Sequence, residues 1–537
     1  MLKTILPREL KLLLDSEEVY AVIDVREKNE YESGQIFGAT SVPRRLLESQ
    51  IPVLIPIKHT KVILYDDDSA RSILAAGMLK NNGYTNVKYL LGGLNNWKIS
   101  SYPLVKGVHV LSKSFGEIVG EIQDVIPTLS PIELKHRMDI SPEDYIIIEV
   151  RPVDEVLKTG SIPGAINIPG VELPLKINDF IKSGKNIVTT CAGRTRGFIA
   201  CATLKKMGIK KVYDLNNGTL GWQLAGFQLE QEILQGDPPS IESKEKAKEV
   251  ATRLAKTQGI QLISVEIFEK MRHNSNKETL YIIDVRSIEE YELMGHIADS
   301  ISMPGGQAIQ NTDDIIAVNK ANIVFVCDNG TRSIITAYWY KRMGFSNVYV
   351  IDGGLSSWNH FDYELVRGVP QSYPLGFIKI FDTVKKIDAN KLKSALDKEP
   401  NIIIIDVSDS RSFAEGHISK AHWLPRGRLE SRISEVVKDK RLPLIITSQD
   451  QYEAIFAANT LYELGFENVR ALADGNQSWK QAGYYLVRGL DGIRPDDWRV
   501  MLTEYGQDEA TKYFDWEESL THLSEYMSYF RRKGVLK

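Results

Sequence analysis

Two of the chain's three cysteines head a six-residue run that ends in arginine: CAGRTR, Cys191 to Arg196, and CDNGTR, Cys327 to Arg332. Each run follows a short apolar stretch and precedes a helix-forming one, so it reads as a turn from the carboxyl end of a strand into the amino end of a helix. Amides at a helix start lack intrahelical partners and carry partial positive charge, so they can surround an anion. A cysteine at the first position aims its sulfur into that ring. An ordinary thiol, with a pKa of roughly 8.5, is only a few per cent ionised near pH 7, and helix amides and arginine lower that value. Gly193 and Gly330 allow a tight turn with inward amides. Arg196 and Arg332, joined in the first run alone by Arg194, face an incoming anion. The chemistry expected of such a loop is attack by an exposed, activated thiolate on a negatively charged partner.

The elements that position these runs recur four times. A strand-like stretch ending in an acid appears as AVIDVR (Asp24), IIIEVR (Glu149), YIIDVR (Asp284) and IIIIDVS (Asp406). A segment of the type GHI…P follows: GQIFGATSVP, GSIPGAINIP, GHIADSISMP and GHISKAHWLP. The loop-bearing stretch comes next, and each copy closes on a third strand and a tryptophan, Trp97, Trp222, Trp358 and Trp479, spaced by 125, 136 and 121 residues. The first loop residues, Asp66, Cys191, Cys327 and Ser448, keep those same spacings. Short apolar runs alternating with helical periods predict parallel strands with crossover helices, an α/β fold with one small sheet per copy. The predicted domains are 1–110, 125–232, 255–370 and 380–490. The segment PPSIESKEKAKEVATRLAKTQG reads as a linker helix or tether, and 491–537 as a helical tail packing on the fourth domain without chemistry of its own.

The composition, 43% hydrophobic and 25% charged over 537 residues, is that of a soluble multidomain protein. A net charge of -4, from 66 basic and 70 acidic residues, gives no bulk attraction to nucleic acid or anionic membrane. Apolar runs are too short for a signal peptide or a membrane span, which places the chain in the cytoplasm. Three cysteines make no disulfide framework, and without paired cysteines or clustered histidines no metal site is expected.

The acid-ended strands, the GHI-type segment and the tryptophan close of all four copies, with the CXXXXR loops of the second and third, together resemble rhodanese domains, over nearly all of residues 1–490. That resemblance implies sulfurtransferase activity without a cofactor. Cys191 and Cys327 would be the nucleophiles. Ala192, Gly193, Arg194, Thr195, Arg196 and Gly197, with Asp328, Asn329, Gly330, Thr331, Arg332 and Ser333, would bind substrate. A donor such as thiosulfate would leave a cysteine persulfide and release sulfite, and cyanide, a small thiol or a sulfur-acceptor protein would collect the sulfur. Related phosphatases and arsenate reductases lengthen the loop by a residue; both loops here have four residues between cysteine and arginine.

Copies one and four depart from the pattern. Asp66 replaces cysteine while Arg71 is kept; Ser448 and Glu453 replace both cysteine and arginine. These copies are expected to be structural or regulatory, and a partner-binding scaffold with oxidant-sensing cysteines is the competing reading. Arg194 predicts that the second copy prefers thiosulfate. Cys201 reads as a helix core residue, or else a resolving thiol. Arg26, Arg151 and Arg286 read as ion-pair partners of the acids two residues before them, the tryptophans as packing residues, and His296 and His417 as parts of turns.

Overall fold

The computed structural model describes residues 2–370 and 372–536. It forms two compact units: one holds residues 2–108 and 372–500, the other 109–370 and 501–536. The first and fourth copies therefore share one unit, and the two cysteine copies share the other.

Each copy folds around its own parallel sheet. In the third copy the strand order is Gln261–Ile263, Val348–Ile351, Asn322–Val326, Leu280–Asp284, Ile301–Ser302. The first and fourth copies repeat that order with five strands, and the second adds a sixth, Leu234–Gln235, beside Ile166–Asn167. The strand that feeds the loop lies inside every sheet: Lys61–Tyr65, Asn186–Thr190, Asn322–Val326 and Leu444–Thr447. Helices cover both faces of such a strand, which is why it is written as an apolar run rather than an alternation. Ile187, Val188, Val324, Phe325 and Val326 are all buried.

The repeated motifs have repeated structural jobs. Arg26, Arg151 and Arg286 pair with Asp24, Glu149 and Asp284 at 2.7, 2.7 and 2.6 Å, fully buried. Each also donates to the carbonyl at the start of its GHI-type segment, Gly34, Gly160 and Gly295. These are structural ion pairs, as their position suggested. His296 and His417 stack on Tyr291 and Phe413 and bond backbone carbonyls through Nδ1. All four tryptophans are buried, and the indole nitrogens donate to Pro103, Gln228, Glu364 and Tyr485, each six residues on. That bond pins the exit segment, whose Val105, Glu230, Val366 and Val487 bridge back to the GHI-type segment.

The linker is a helix, Ile241–Gln258, capped by the Ser240 hydroxyl and lying against Thr331–Arg342 of the third copy. The tail departs from expectation. Residues 491–500 stay with copies one and four, Arg499 pairing with Glu32 at 2.6 Å and Arg411 lying over Trp498. From residue 501 the chain belongs to the cysteine unit, where Ala510 and Phe514 pack on Leu220 of the second copy rather than on the fourth. No helix among the described residues is long and apolar enough to cross a membrane.

Candidate active site

The loops are held from beneath by the closing segment of each copy. The backbone amides of Leu94, Thr219, Leu355 and Asn476 donate to the carbonyls of Asp66, Cys191, Cys327 and Ser448 at 2.8, 2.8, 2.8 and 2.7 Å. Gly218 and Gly354 precede two of these donors with φ of 56° and 60°, and a Cβ on either would collide with the cysteine carbonyl oxygen. Only glycine meets both the left-handed backbone and the close approach. The glycine-to-tryptophan spacing thus fixes the cysteine's position.

The first copy shows what the loop does for an anion. Asp66, buried at 1% exposure, accepts from the Ser69 amide (2.9 Å), the Arg71 amide (2.8 Å) and the Ser72 hydroxyl (2.8 Å). Its carboxyl occupies the cradle that the sequence assigned to a thiolate's surroundings. Cys191 and Cys327 stand at the same loop position, where the amides of Gly197 and Ser333 favour their charged forms.

The thiols, however, are not exposed. Cys191 is 2% and Cys327 0% accessible, and burial pushes Cys191 up to about 12 against the pull of Arg196. Burial raises Cys327 as well, against Arg332. The expectation of an accessible, low-pKa thiolate is therefore corrected: desolvation outweighs the favourable amides and guanidinium in this closed arrangement. Cys201 lies at 0% exposure within the helix Thr195–Lys206, its thiol also raised by burial, as a core residue does.

The arginines are engaged by carboxylates. Arg196 forks onto Glu155 at 2.6 and 2.8 Å. Arg332 forks onto Glu290, both at 2.7 Å, and reaches Glu172 at 2.6 Å and Asp328 at 3.1 Å. Arg194 turns out of the loop to Glu117 (2.8 and 2.9 Å), Glu121 (2.8 Å) and Glu518 (3.0 Å). Its assignment to substrate, and the thiosulfate preference built on it, lose their geometric basis, because three acids neutralise it. Glu117 reaches Arg194 because the connector helix Val110–Glu117 and its continuation lie close to the loop helix: a Cβ on Gly116 would come within 2.8 Å of Thr195, and one on Gly120 within 2.6 Å of Phe198. Burial raises Glu117 to about 7, partly offset by Arg194.

The remaining loop residues differ between the two copies. Ala192, Gly193 and Thr195 are buried, and Gly197 lies against Asp214. In the third copy Asp328 and Asn329 are half-buried, the Asn329 side chain accepts from the Thr331 amide at 3.1 Å, and Gly330 adopts φ 91°. Among the described residues the hydroxyls of Thr195 and Thr331 are buried without a hydrogen-bond partner, and the Ser333 hydroxyl is buried facing Cys327. A cavity of about 240 Å³ between the two cysteine copies is bordered by Arg196, Thr195, Glu172, Ser287, Thr336 and Trp339 among others.

Sequence reasoning missed two groups. Asp214, on the third strand, is buried beside Gly197, accepts from Thr189 at 2.8 Å, and is raised by burial. Its signal was present: VYDL carries an acid where VKYL, VYVI and VRAL do not. The second group is the tail helix Gln507–Ser519, whose Tyr513, Phe514 and Glu517 are the atoms nearest a Cβ placed on Gly193.

In the fourth copy Ser448 donates to the Asp450 carbonyl, and Asp450 caps the helix Gln451–Glu463 through the Tyr452 and Glu453 amides. Glu453 binds Arg45 of the first copy at 2.9 Å and is raised to about 8 by burial. Among the described residues, His109, Asp313 and Asp314 are the grouping that could offer a cation three ligand atoms, and it contains no residue of either loop.

The Rhodanese-like domain family model matches residues 6–100, 130–225, 264–361 and 388–482. A crystal structure of thiosulfate sulfurtransferase from Pseudomonas aeruginosa superposes with a TM-score of 0.89 at 29% identity, covering 99% of each chain. Curated relatives match single copies. MoeZ of Mycobacterium tuberculosis is 33% identical over 100 residues, 19% of this chain and 26% of MoeZ, so the chain spans about a quarter of that relative. A sulfurtransferase of Allochromatium vinosum is 28% identical over 87 residues, 16% of this chain and 79% of its own length. With four family matches, each covering the inner strands of one parallel sheet and its loop, the chain belongs to the rhodanese-like family as a tandem of four domains.

Proposed function

We propose that the chain is a sulfurtransferase with two persulfide-forming centres, Cys191 and Cys327, and two copies, the first and fourth, that carry no sulfur. The observation that carries this reading is the first copy's loop, where an anionic side chain at the cysteine position collects the amides at the loop's fourth and sixth positions. Cys191 and Cys327 occupy that position in their own copies, followed by a four-residue interval and an arginine. The names of the Pseudomonas and Allochromatium relatives agree with it.

The chemistry is two displacements at sulfur. A cysteine thiolate attacks the sulfane sulfur of thiosulfate or a related donor; the donor's S–S bond breaks and sulfite leaves with the electron pair. The persulfide's outer sulfur is then attacked by cyanide, a small thiol or an acceptor protein's thiol, and the cysteine leaves as thiolate. Each step develops negative charge at the loop, where fixed amides stabilise it without reorganisation. The closed thiols are neutral near pH 7, so ionisation accompanies entry of the donor. In the third copy Asp328 and Asn329 are half-buried where Ala192 and Gly193 of the second are buried. Asp66 fills its own cradle, and the fourth copy lacks both nucleophile and arginine, which leaves those copies structural roles. The proposed setting is the cytoplasm, with no nucleic-acid partner.

Peptide mass spectrometry after treatment with sulfane donors tests the reading. A gain of one sulfur on Cys191 and on Cys327 supports it, and no gain on either with any donor overturns it.

A further inference from the structure

The tail helix Gln507–Ser519 does more than fill a surface. Phe514 and Ala510 seat it on Leu220, Lys113 lies over the Tyr513 and Trp516 rings at 5.0 and 5.2 Å, and Glu518 pairs with Arg194 at 3.0 Å. What the helix turns toward the loop is chemically specific. A Cβ built on Gly193 would meet Glu517 Oε2 at 3.6 Å, Phe514 at 3.8 Å and Tyr513 at 3.9 Å. Glu517 is 1% exposed; its Oε1 accepts from the Tyr513 hydroxyl at 2.7 Å, and its Oε2 has no hydrogen-bond partner among the described residues. A buried carboxyl oxygen without a partner is costly, of the order of a lost hydrogen bond or more, so its persistence beside a reactive loop points to a ligand group that completes it.

The charge around that oxygen indicates which group. Glu117, Glu121, Glu517 and Glu518 surround this end of the loop, against Arg194 and Lys113. Burial raises both Glu117 and Glu517, opposed by Arg194 and, at Glu517, by Lys113, with the neighbouring acids adding a smaller push upward. An anionic acceptor thiol entering here meets these acids, whereas a protonated amine on the acceptor supplies a donor to Glu517 Oε2.

We propose that the tail helix is the second wall of the Cys191 site and that Glu517 makes this site select, as the acceptor that collects its sulfur, an aminothiol, a thiol carrying a positively charged nitrogen, over an anionic thiol. This rests on the sulfurtransferase reading of Cys191. In the transfer, the aminothiol loses its thiol proton to solvent, its sulfur attacks the outer sulfur of the Cys191 persulfide, a new S–S bond forms, the old one breaks, and Cys191 leaves with the electron pair as thiolate. No oxidant or reductant is consumed. The third copy, whose Asp328 and Asn329 are half-buried, keeps a separate selectivity.

The test uses two thiol reagents of opposite charge on the full chain, aminoethyl methanethiosulfonate and sulfonatoethyl methanethiosulfonate. Both form a mixed disulfide with an accessible thiol and expel methanesulfinate. Rates at Cys191 and Cys327 are read from their peptides in the wild type, Glu517→Gln and Glu517→Asp. The expected result is a preference for the cationic reagent at Cys191 that falls about tenfold in Glu517→Gln, survives in Glu517→Asp, and leaves the Cys327 ratio unchanged. An unchanged ratio at Cys191 in Glu517→Gln, or no modification of wild-type Cys191 by either reagent, overturns the proposal. These reagents need no sulfane chemistry. A charge preference at a Cys191 that never gains sulfur from any donor would retire the sulfurtransferase reading of Cys191, while sulfur uptake with a ratio indifferent to Glu517 would retire only the aminothiol selection.

Discussion

Loosening the tail helix should awaken Cys191 and leave Cys327 alone. The perturbation is Phe514→Ala: Phe514 is 5% exposed and packs with Leu220 and Ala510 at the seat of the helix. Truncating a buried phenylalanine costs about 3–5 kcal/mol, and much of that loss falls on docking of the helix to the second copy. The Glu518–Arg194 pair, with Glu518 half-exposed, compensates by no more than about 1 kcal/mol. With its thiol at about 12, Cys191 in the closed form has only some three parts in a hundred thousand as thiolate at about pH 7.5. Return to the ordinary value of roughly 8.5 would raise that fraction up to about three thousand-fold. The assay is iodoacetamide alkylation across pH, with the Cys191, Cys201 and Cys327 peptides followed separately. The alkylation midpoint of Cys191 should move down by more than one pH unit in Phe514→Ala, with a matching rise in rate, while Cys327 changes by less than about twofold. Wild-type Cys191 alkylating like an exposed thiol, or a Cys191 midpoint unmoved by Phe514→Ala, would refute the link between tail cover and thiol pKa.

Replacing Asp66 by alanine strands the Ser69 and Arg71 amides and the Ser72 hydroxyl, each a loss of about 1–3 kcal/mol, so a urea unfolding transition should shift earlier for the unit of copies one and four while the cysteine unit is unaffected. Gly354→Ala places a Cβ against the Cys327 carbonyl at φ 60°, and should cost about 1–3 kcal/mol from backbone strain alone and abolish sulfur uptake on Cys327 but not on Cys191, as mass spectrometry of the two peptides will show. Glu117 is raised from its ordinary 4.5 to about 7, so the folded state holds its proton more tightly than the unfolded chain. The associated stability is complete below about pH 4.5 and is lost as pH rises through about 7, up to about 3 kcal/mol; urea midpoints measured between about pH 5 and 8 should fall with pH in the wild type and fall less in Glu117→Gln.

The parts legible in the sequence are those written locally and repeated. Four copies of strand, GHI-type segment, loop and tryptophan produce four parallel sheets, because each motif is satisfied within its own copy: Arg151 by Glu149, Trp222 by Gln228, the Cys191 carbonyl by Thr219. Asp66 at the cysteine position, with Arg71 kept, was legible for the same reason. What was not legible depends on distant partners. Arg194 finds Glu117 and Glu121 more than seventy residues earlier in the chain, and Glu518 more than three hundred later. The aromatic pattern of 507–519 announces a helix with a sticky face but not the surface it meets, which is Leu220 rather than the fourth copy. Burial is common to the first loop position, Asp66, Cys191, Cys327 and Ser448 all being buried, so the loop's own composition pointed to a lowered pKa while the folded copies raise it. Nor does any local signal say that copy one pairs with four and copy two with three; Arg45 reaching Glu453 is visible only once the chain has folded.

The central claim is that both cysteine copies, and they alone, carry sulfur. It is tested most directly by single-turnover sulfite release from thiosulfate, with persulfide counted on the same samples, in the wild type, C191S, C327S and the double variant. Persulfide on both cysteines of the wild type, on the remaining one in each single variant, and none in C191S/C327S is the predicted result. Sulfite release that persists in the double variant, or a wild type in which either cysteine stays free of persulfide, would contradict the account.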